Sequence, residues 1–217
     1  MTQFLMDYLA EAESDKIHYN VGEKDITTMY GIYRVQHPKA AIFKRIDEVA
    51  QLAGVTSASE YWLQSHIDKV NKYISNHNLN KEFRQLASDF YKDYFEAMPL
   101  DKFPNLCQVS VFSMYTNSQK YAVMAVQDAI NTMIKMKYIN GTALLSVDGV
   151  FGKKFTAPAL VKVSNFIADD EFKAMYFESI LLLHMSKRYA LLAKANPEKY
   201  LKYLEGWMNR LEKLSRI

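Results

Sequence analysis

Only one cysteine, Cys107, occurs among the 217 residues, which excludes an intramolecular disulfide and any cysteine-rich metal cluster. It stands in the apolar run Leu106-Cys107-Gln108-Val109, a setting that suits a buried structural thiol. No Cys-His signature accompanies it. Glycine and proline are scarce, at seven and five residues, so Gly-rich linkers, collagen-like repeats and turn-dense β-sandwiches are unexpected. Neither sign of charge dominates: 27 Lys and Arg stand against 24 Asp and Glu, a net +3. That balance exerts only a mild pull on anionic partners. Purely apolar runs stop after a handful of residues, as at 180–183, far short of the ~20 that span a bilayer. No membrane insertion is expected. The opening residues, MTQFLMDYLAEAESDK, lack the basic start, long apolar stretch and small-residue cleavage site of a Sec signal. The expectation is a chain made in the cytoplasm without a Sec signal.

What the chain has in quantity is apolar surface, 49% of residues with 13% aromatic. That excludes disorder, and the length is ample for a buried core. The apolar residues recur with helical spacing almost throughout. Phe4, Leu5, Tyr8, Leu9 and Ala12 mark a first amphipathic helix reaching about Glu13. Residues 14–31 lose that period and carry Ser14, Asn20, Gly22, Asp25, Thr27, Thr28 and Gly31, which reads as a loop or short hairpin behind a helix end. Further helices are predicted over 40–53, closed by Gly54, and from a Ser57-Ala58-Ser59-Glu60 capping box to about Ser75. Another covers 81–97. Pro99 and Pro104 bracket a connector, the expected boundary between regions 1–104 and 105–217.

Beyond it, helices are predicted near 105–115 and from about Ser118 to Met136. Three of the seven glycines, Gly141, Gly149 and Gly152, fall within 139–153 and mark a turn-rich loop. Asp169 is expected to cap a long helix to about Lys194, and Asn196-Pro197 to start a last helix to about Leu214. Met124, Met133 and Met136 read as a packing face, and Tyr189 and Trp207 as helix-packing residues. The fold class is all-α with two structured loops.

Most catalytic signatures are missing. There is no G-x-S-x-G elbow, P-loop or dinucleotide-binding glycine fingerprint. The five histidines, His18, His37, His66, His77 and His184, form no HExxH pattern, and no metal site or cofactor is implied. The most basic helix, 187–202, carries Lys187, Arg188, Lys194, Lys199 and Lys202 with Glu198. A solvated face explains it better than a nucleic-acid reader, so no nucleic acid is expected as partner.

What remains is the junction of the first helix and its loop. Glu13 falls within or just past the last turn, with an apolar face behind it. A carboxyl there can be half-buried, and desolvation favours its protonated form, as a general acid requires. Asp25, Thr27 and Thr28 follow as short polar groups able to hold a water. Glycoside hydrolysis needs that pair of functions. A solvated helix-end carboxylate is the plainer alternative.

The stretch Tyr8-Leu9-Ala10-Glu11-Ala12-Glu13, a loop with Asn20, and then Thr28-Met29-Tyr30-Gly31-Ile32 resembles the start of the phage-type N-acetylmuramidases, glycoside hydrolase family 108. Their pattern is a helix ending in Glu-Gly-Gly-Tyr, a polar loop and Thr-x-Tyr-Gly-Ile. Asn117–Asn131 resembles the family's Asn-Ser-Gly helix followed by its Leu-Gln-x-Ala-x-Asn core. Val147-Asp148-Gly149-Val150-Phe151-Gly152 resembles the Asp-Gly-x-x-Gly turn of the peptidoglycan-binding region attached to these enzymes, and Arg188-Tyr189, Asn196-Pro197 and Gly206-Trp207-Met208-Asn209-Arg210 resemble its closing helices. The resemblance implies a lysozyme-like helical region over 1–104 and a helical peptidoglycan-binding-like region over 105–217. It implies cleavage of the β-1,4 bond between N-acetylmuramic acid and N-acetylglucosamine, with Glu13 as acid and Asp25 or Thr28 orienting water or stabilising charge. Asn20, Tyr30, Asn117 and Asp148 are the implied substrate contacts, peptidoglycan glycan strands the partner, and a holin or a secretion system the route to the wall. The sequence departs from the pattern where Ser14 and Asp15 replace the two glycines after the acid. Glu11 is the second candidate acid. A wall-binding protein without activity, and a helical adaptor unrelated to the wall, are the alternative readings.

Overall fold

The computed structural model describes residues 3–19, 27–55 and 63–215. The architecture is all-α, with one small sheet. The capping box at 57–60 lies outside the described residues. The chain divides into two compact units, Met1–Asp93 and Tyr94–Ile217, with the division inside a helix ahead of the Pro99–Pro104 connector.

The first unit begins with α1 (Gln3–Ala12), which buries Leu5, Met6 and Leu9, residues three and four apart and so on one helical face. Three short antiparallel strands follow, β1 (His18–Tyr19), β2 (Thr27–Met29) and β3 (Ile32–Tyr33), in the order β1-β2-β3. Thr28 on the middle strand is opposite His18 on one side and Tyr33 on the other. Such a short sheet is marginal alone, and its surroundings hold it. Ile17 N–H donates to Asn71 Oδ1 at 2.9 Å while Asn71 Nδ2 donates to the Ile17 carbonyl at 3.0 Å. Arg34 grips Asp47 with two guanidinium nitrogens, at 2.7 and 3.1 Å.

Those partners lie on α2 (Ala41–Leu52) and α3 (Gln64–Asn76). α2 buries Ile42, Phe43, Ile46, Val49 and Ala50, and α3 buries Ile67, Val70 and Ile74. Gly54, at φ +74°, turns the chain out of α2, and Val55 N–H returns to the Ala50 carbonyl at 2.8 Å, a glycine-ended helix stop. α4 (Asn80–Ala97) completes the unit with Phe83, Ala87 and Tyr91 buried. Arg84 of α4 pairs with Asp7 of α1 at 2.6 Å.

In the second unit a short 3₁₀ turn (Leu100–Lys102) leads into α5 (Asn105–Asn117), buried continuously from Cys107 to Tyr115. A helix buried on every side is a core helix, and α6 (Gln119–Lys135) and α8 (Glu171–Ala195) pack on it. Cys107 is buried as expected, and burial together with nearby Glu178 pushes its thiol well up. A helix that periodicity alone did not mark, α7 (Thr156–Ile167), follows the loop 139–155. The N-cap of α8 is Asp170, whose carboxylate accepts from Lys173 N–H at 3.1 Å, rather than Asp169. Asn196 caps α9 (Pro197–Leu214), with proline at its start. Tyr189 stacks on Trp207 at 4.8 Å between ring centres. Met133 is fully buried, but Met136 is 51% exposed, because it falls past the end of α6 and leaves the packing face. No described helix is long and apolar enough to cross a membrane.

Candidate active site

Glu13 sits one residue past α1, its N–H still donating to the Leu9 carbonyl at 3.0 Å. The helix therefore delivers its last hydrogen bond to Glu13 and then turns. The turn is made by Ser14 at φ +68°, a left-handed conformation that costs a non-glycine residue about 1–2 kcal/mol. Ser14 Oγ accepts from Lys16 N–H at 3.1 Å and lies 2.7 Å from His18 Nε2. These local bonds offset part of that cost.

β2 and β3 are joined by Tyr30-Gly31, at φ +53° and +72°, the two positive values that a two-residue hairpin turn of the type I′ class demands. Met29 and Ile32 flank it as a cross-strand pair. Tyr30 N–H donates to the Ser14 carbonyl at 2.9 Å, so the segment after Glu13 and the hairpin turn are tied directly. From α4, Tyr91 Oη donates to the Tyr30 carbonyl at 2.9 Å in a buried bond. The Glu13 side chain rests against Gly31: a Cβ on residue 31 would stand 3.1 Å from Glu13 Cγ and 3.4 Å from its Cδ.

Of the residues predicted from sequence, the first unit therefore joins Glu13 and the Thr28-x-Tyr30-Gly31 segment in one small structure. Thr28 is 9% exposed, at the centre of the sheet. Glu11 is exposed on α1, two residues before the contact with Gly31. Asn20 and Asp25 lie outside the described residues. Tyr30 is only 2% exposed and packs instead of lining an open groove. Burial, and then the charge of Asp15, raise its hydroxyl pKa, against the opposing pull of Arg84.

Asn117 and Asp148 belong to the second unit. Asn117 is exposed at the end of α5, where Nδ2 donates to the Ser113 carbonyl at 2.7 Å, a helix-end bond. Asp148 forms a turn with Gly149 that is bound to α6. Its Oδ1 accepts from Gln127 Nε2 at 2.9 Å and from Val150 N–H at 2.8 Å. These bonds hold its carboxyl below the usual range. Gln127 also donates to the Val150 carbonyl and accepts from Gly149 N–H, both at 3.0 Å. One helical turn later, Asn131 receives Leu145 N–H at 2.7 Å and donates to its carbonyl at 2.9 Å. Two amides four residues apart on α6, both within the Asn117–Asn131 segment that carries the family resemblance, thus clamp the loop at Leu145 and at 148–150. Their bonds to the loop, rather than their residue types, are what the sequence did not show. Asp148, Thr142, Leu144, Phe155 and Lys162 line a cleft of about 710 Å³ beside α7. Asn117 is not one of its lining residues.

A hydroxyl–imidazole–carboxylate series also occurs in the second unit: Thr132 Oγ1 is 3.0 Å from His184 Nε2, and His184 Nδ1 is 4.0 Å from Asp128 Oδ2. It is not built as a nucleophile. The Thr132 hydroxyl donates to the Asp128 backbone carbonyl at 3.0 Å, and the Asp128 carboxylate is held by Arg188. The group ties α6 to α8. Among the described residues no cluster of metal-ligating side chains is found.

No family model, curated protein or solved structure matches this chain.

Proposed function

We propose that the protein is a peptidoglycan hydrolase, an N-acetylmuramidase of the lysozyme type, with Glu13 as the general acid. The observation that carries this reading is the contact between Glu13 and the Tyr30-Gly31 turn. A carboxyl at a helix end is ordinary, but one braced by a hairpin turn through a side-chain contact and a backbone bond has a defined direction. Catalysis by proton donation requires that. Ser14 supports it further. The family pattern has glycine directly after the acid, and Ser14 keeps the left-handed φ of +68° that a glycine would adopt without strain.

In this reading Glu13 gives its proton to the glycosidic oxygen as the bond to the muramic acid ring breaks. Thr28, on the sheet's middle strand, or Asp25 orients the attacking water or stabilises positive charge on the ring. The second unit supplies wall affinity through the Asp148 loop and its cleft. Peptidoglycan glycan strands are the partner, and a holin or a secretion system gives access to them.

Purified peptidoglycan incubated with the wild type and with Glu13→Gln tests it. New reducing ends from the wild type alone are expected. Equal release by both would move the acid to Glu11 or elsewhere. Sacculus binding without release by either would leave a wall-binding protein.

A further inference from the structure

We infer that Tyr91 is a positioning residue for Glu13, acting through the Tyr30–Gly31 peptide; this rests on the muramidase reading above. The carbonyl that Tyr91 Oη holds at 2.9 Å belongs to the same peptide plane that leads into the Gly31 α-carbon. That α-carbon is where the stem of Glu13 rests, within 3.1 Å of a would-be Cβ. The hydroxyl of α4 therefore grips the surface against which the acid is braced.

Tyr30 and Gly31 both lie at positive φ, and Ser14, which accepts from Tyr30 N–H, does so too. Non-glycine residues stay in such conformations only where their surroundings over-determine them. Tyr91 and Tyr30 are 4% and 2% exposed, so no solvent reaches the bond to replace a lost donor. Without the hydroxyl the carbonyl must rotate toward another partner, because a buried carbonyl does not remain unpaired. Rotation of that peptide shifts Gly31 and with it Glu13. The Tyr91 ring also meets Phe90 edge-on at 5.0 Å, a contact that phenylalanine at position 91 would keep.

The test compares wild type, Tyr91→Phe and Glu13→Gln on soluble glycan strands from purified peptidoglycan, with rates divided by the folded fraction from circular dichroism. Tyr91→Phe is expected to lower kcat about 10- to 100-fold, since misplacing a reacting group by about an ångström costs on that order. KM is expected to stay within about two-fold, because Tyr91 touches no sugar. Amide exchange at Gly31 should quicken in parallel. Gly31→Ala, which presses on the Glu13 stem from the same peptide, should show the same kcat loss and serves if Tyr91→Phe folds poorly. An active wild type and a silent Glu13→Gln, with Tyr91→Phe keeping kcat or changing KM alone, would overturn the inference. A wild type as silent as Glu13→Gln would overturn the muramidase reading itself, and Tyr91 would then have no acid to position.

Discussion

The stem of Glu13 occupies the space that a side chain on Gly31 would need, with Glu13 Cγ 3.1 Å and Cβ 3.3 Å from an added methyl. Two independent requirements therefore meet at position 31. The turn asks for φ +72°, and the Glu13 stem asks for an uncovered α-carbon. Glycine satisfies both, and no other residue does.

Replacing Gly31 by alanine should cost about 1–2 kcal/mol from the left-handed backbone alone. Contact with Glu13 adds to it. Urea unfolding should show the loss of stability, and reducing-end release should fall by more than stability accounts for. An unchanged urea midpoint would mean that the turn relaxes freely.

Gln127 is 1% exposed and bonds three groups of the 148–150 turn. Gln127→Leu should destabilise the protein by about 2–4 kcal/mol, because Gly149 N–H and the Val150 carbonyl lose their amide partner. Gly149→Ala should be comparably harmful, since the added Cβ would come 2.9 Å from the Lys120 backbone oxygen. Both effects are read from denaturant midpoints, and loss of sacculus binding at full folding would tie the loop to the wall.

Glu178 on α8 is 6% exposed and accepts from Ser110 Oγ at 2.7 Å. Burial pushes its carboxyl up to about 7, against the lowering effect of the Ser110 bond. The folded state thus holds this proton more tightly than the unfolded chain. The corresponding stability is fully present below about pH 4.5 and is lost as pH rises through about 7. It amounts to roughly 2 kcal/mol once residual hydration is allowed for. Glu178→Gln should be more stable than wild type above neutrality, and the difference should vanish in acid. A difference that stays constant with pH would contradict the assignment.

His184 responds in the opposite sense. Burial lowers its pKa below 6.5, with Lys187, Arg188 and Lys135 adding to that and Asp128 opposing it. Its neutral form belongs to the folded state. The stability it contributes is present above about pH 6.5 and is lost as pH falls through its lowered value. His184→Gln should reduce the acid-side loss of stability measured by thermal melts. An unchanged acid limb would place the loss elsewhere.

The helices were legible where an amphipathic period ran between capping residues, as at 40–53 with Gly54 and at Asn196-Pro197, but the helix expected from the 57–60 capping box begins only at Gln64, after an extended Leu63. α7 escaped because Thr156–Ile167 is largely apolar and short, and glycine-rich sequence before it suggests a continuing loop. Met136 misled for a related reason: its spacing matches Met133, but the helix ends at Lys135. At the candidate site, Glu13 and the Thr-x-Tyr-Gly-Ile segment could be read because their residue types and spacing are local. Tyr91 could not, because its bond to Tyr30 joins positions 61 residues apart and nothing in α4 distinguishes it from other buried aromatics. Tyr30 was expected at the cleft because the family motif places it beside the proposed acid, and the sequence carried no sign that it would be only 2% exposed. The pairing of Gln127 with the Asp148 loop was hidden for the same long-range reason.

The central claim is that Glu13 is the acid of a muramidase. Mass mapping of borohydride-reduced peptidoglycan fragments tests it most directly. The account predicts fragments ending in reduced muramic acid from the wild type and none from Glu13→Gln. Fragments ending in reduced glucosamine, or muramic ends from both proteins in equal yield, would contradict it.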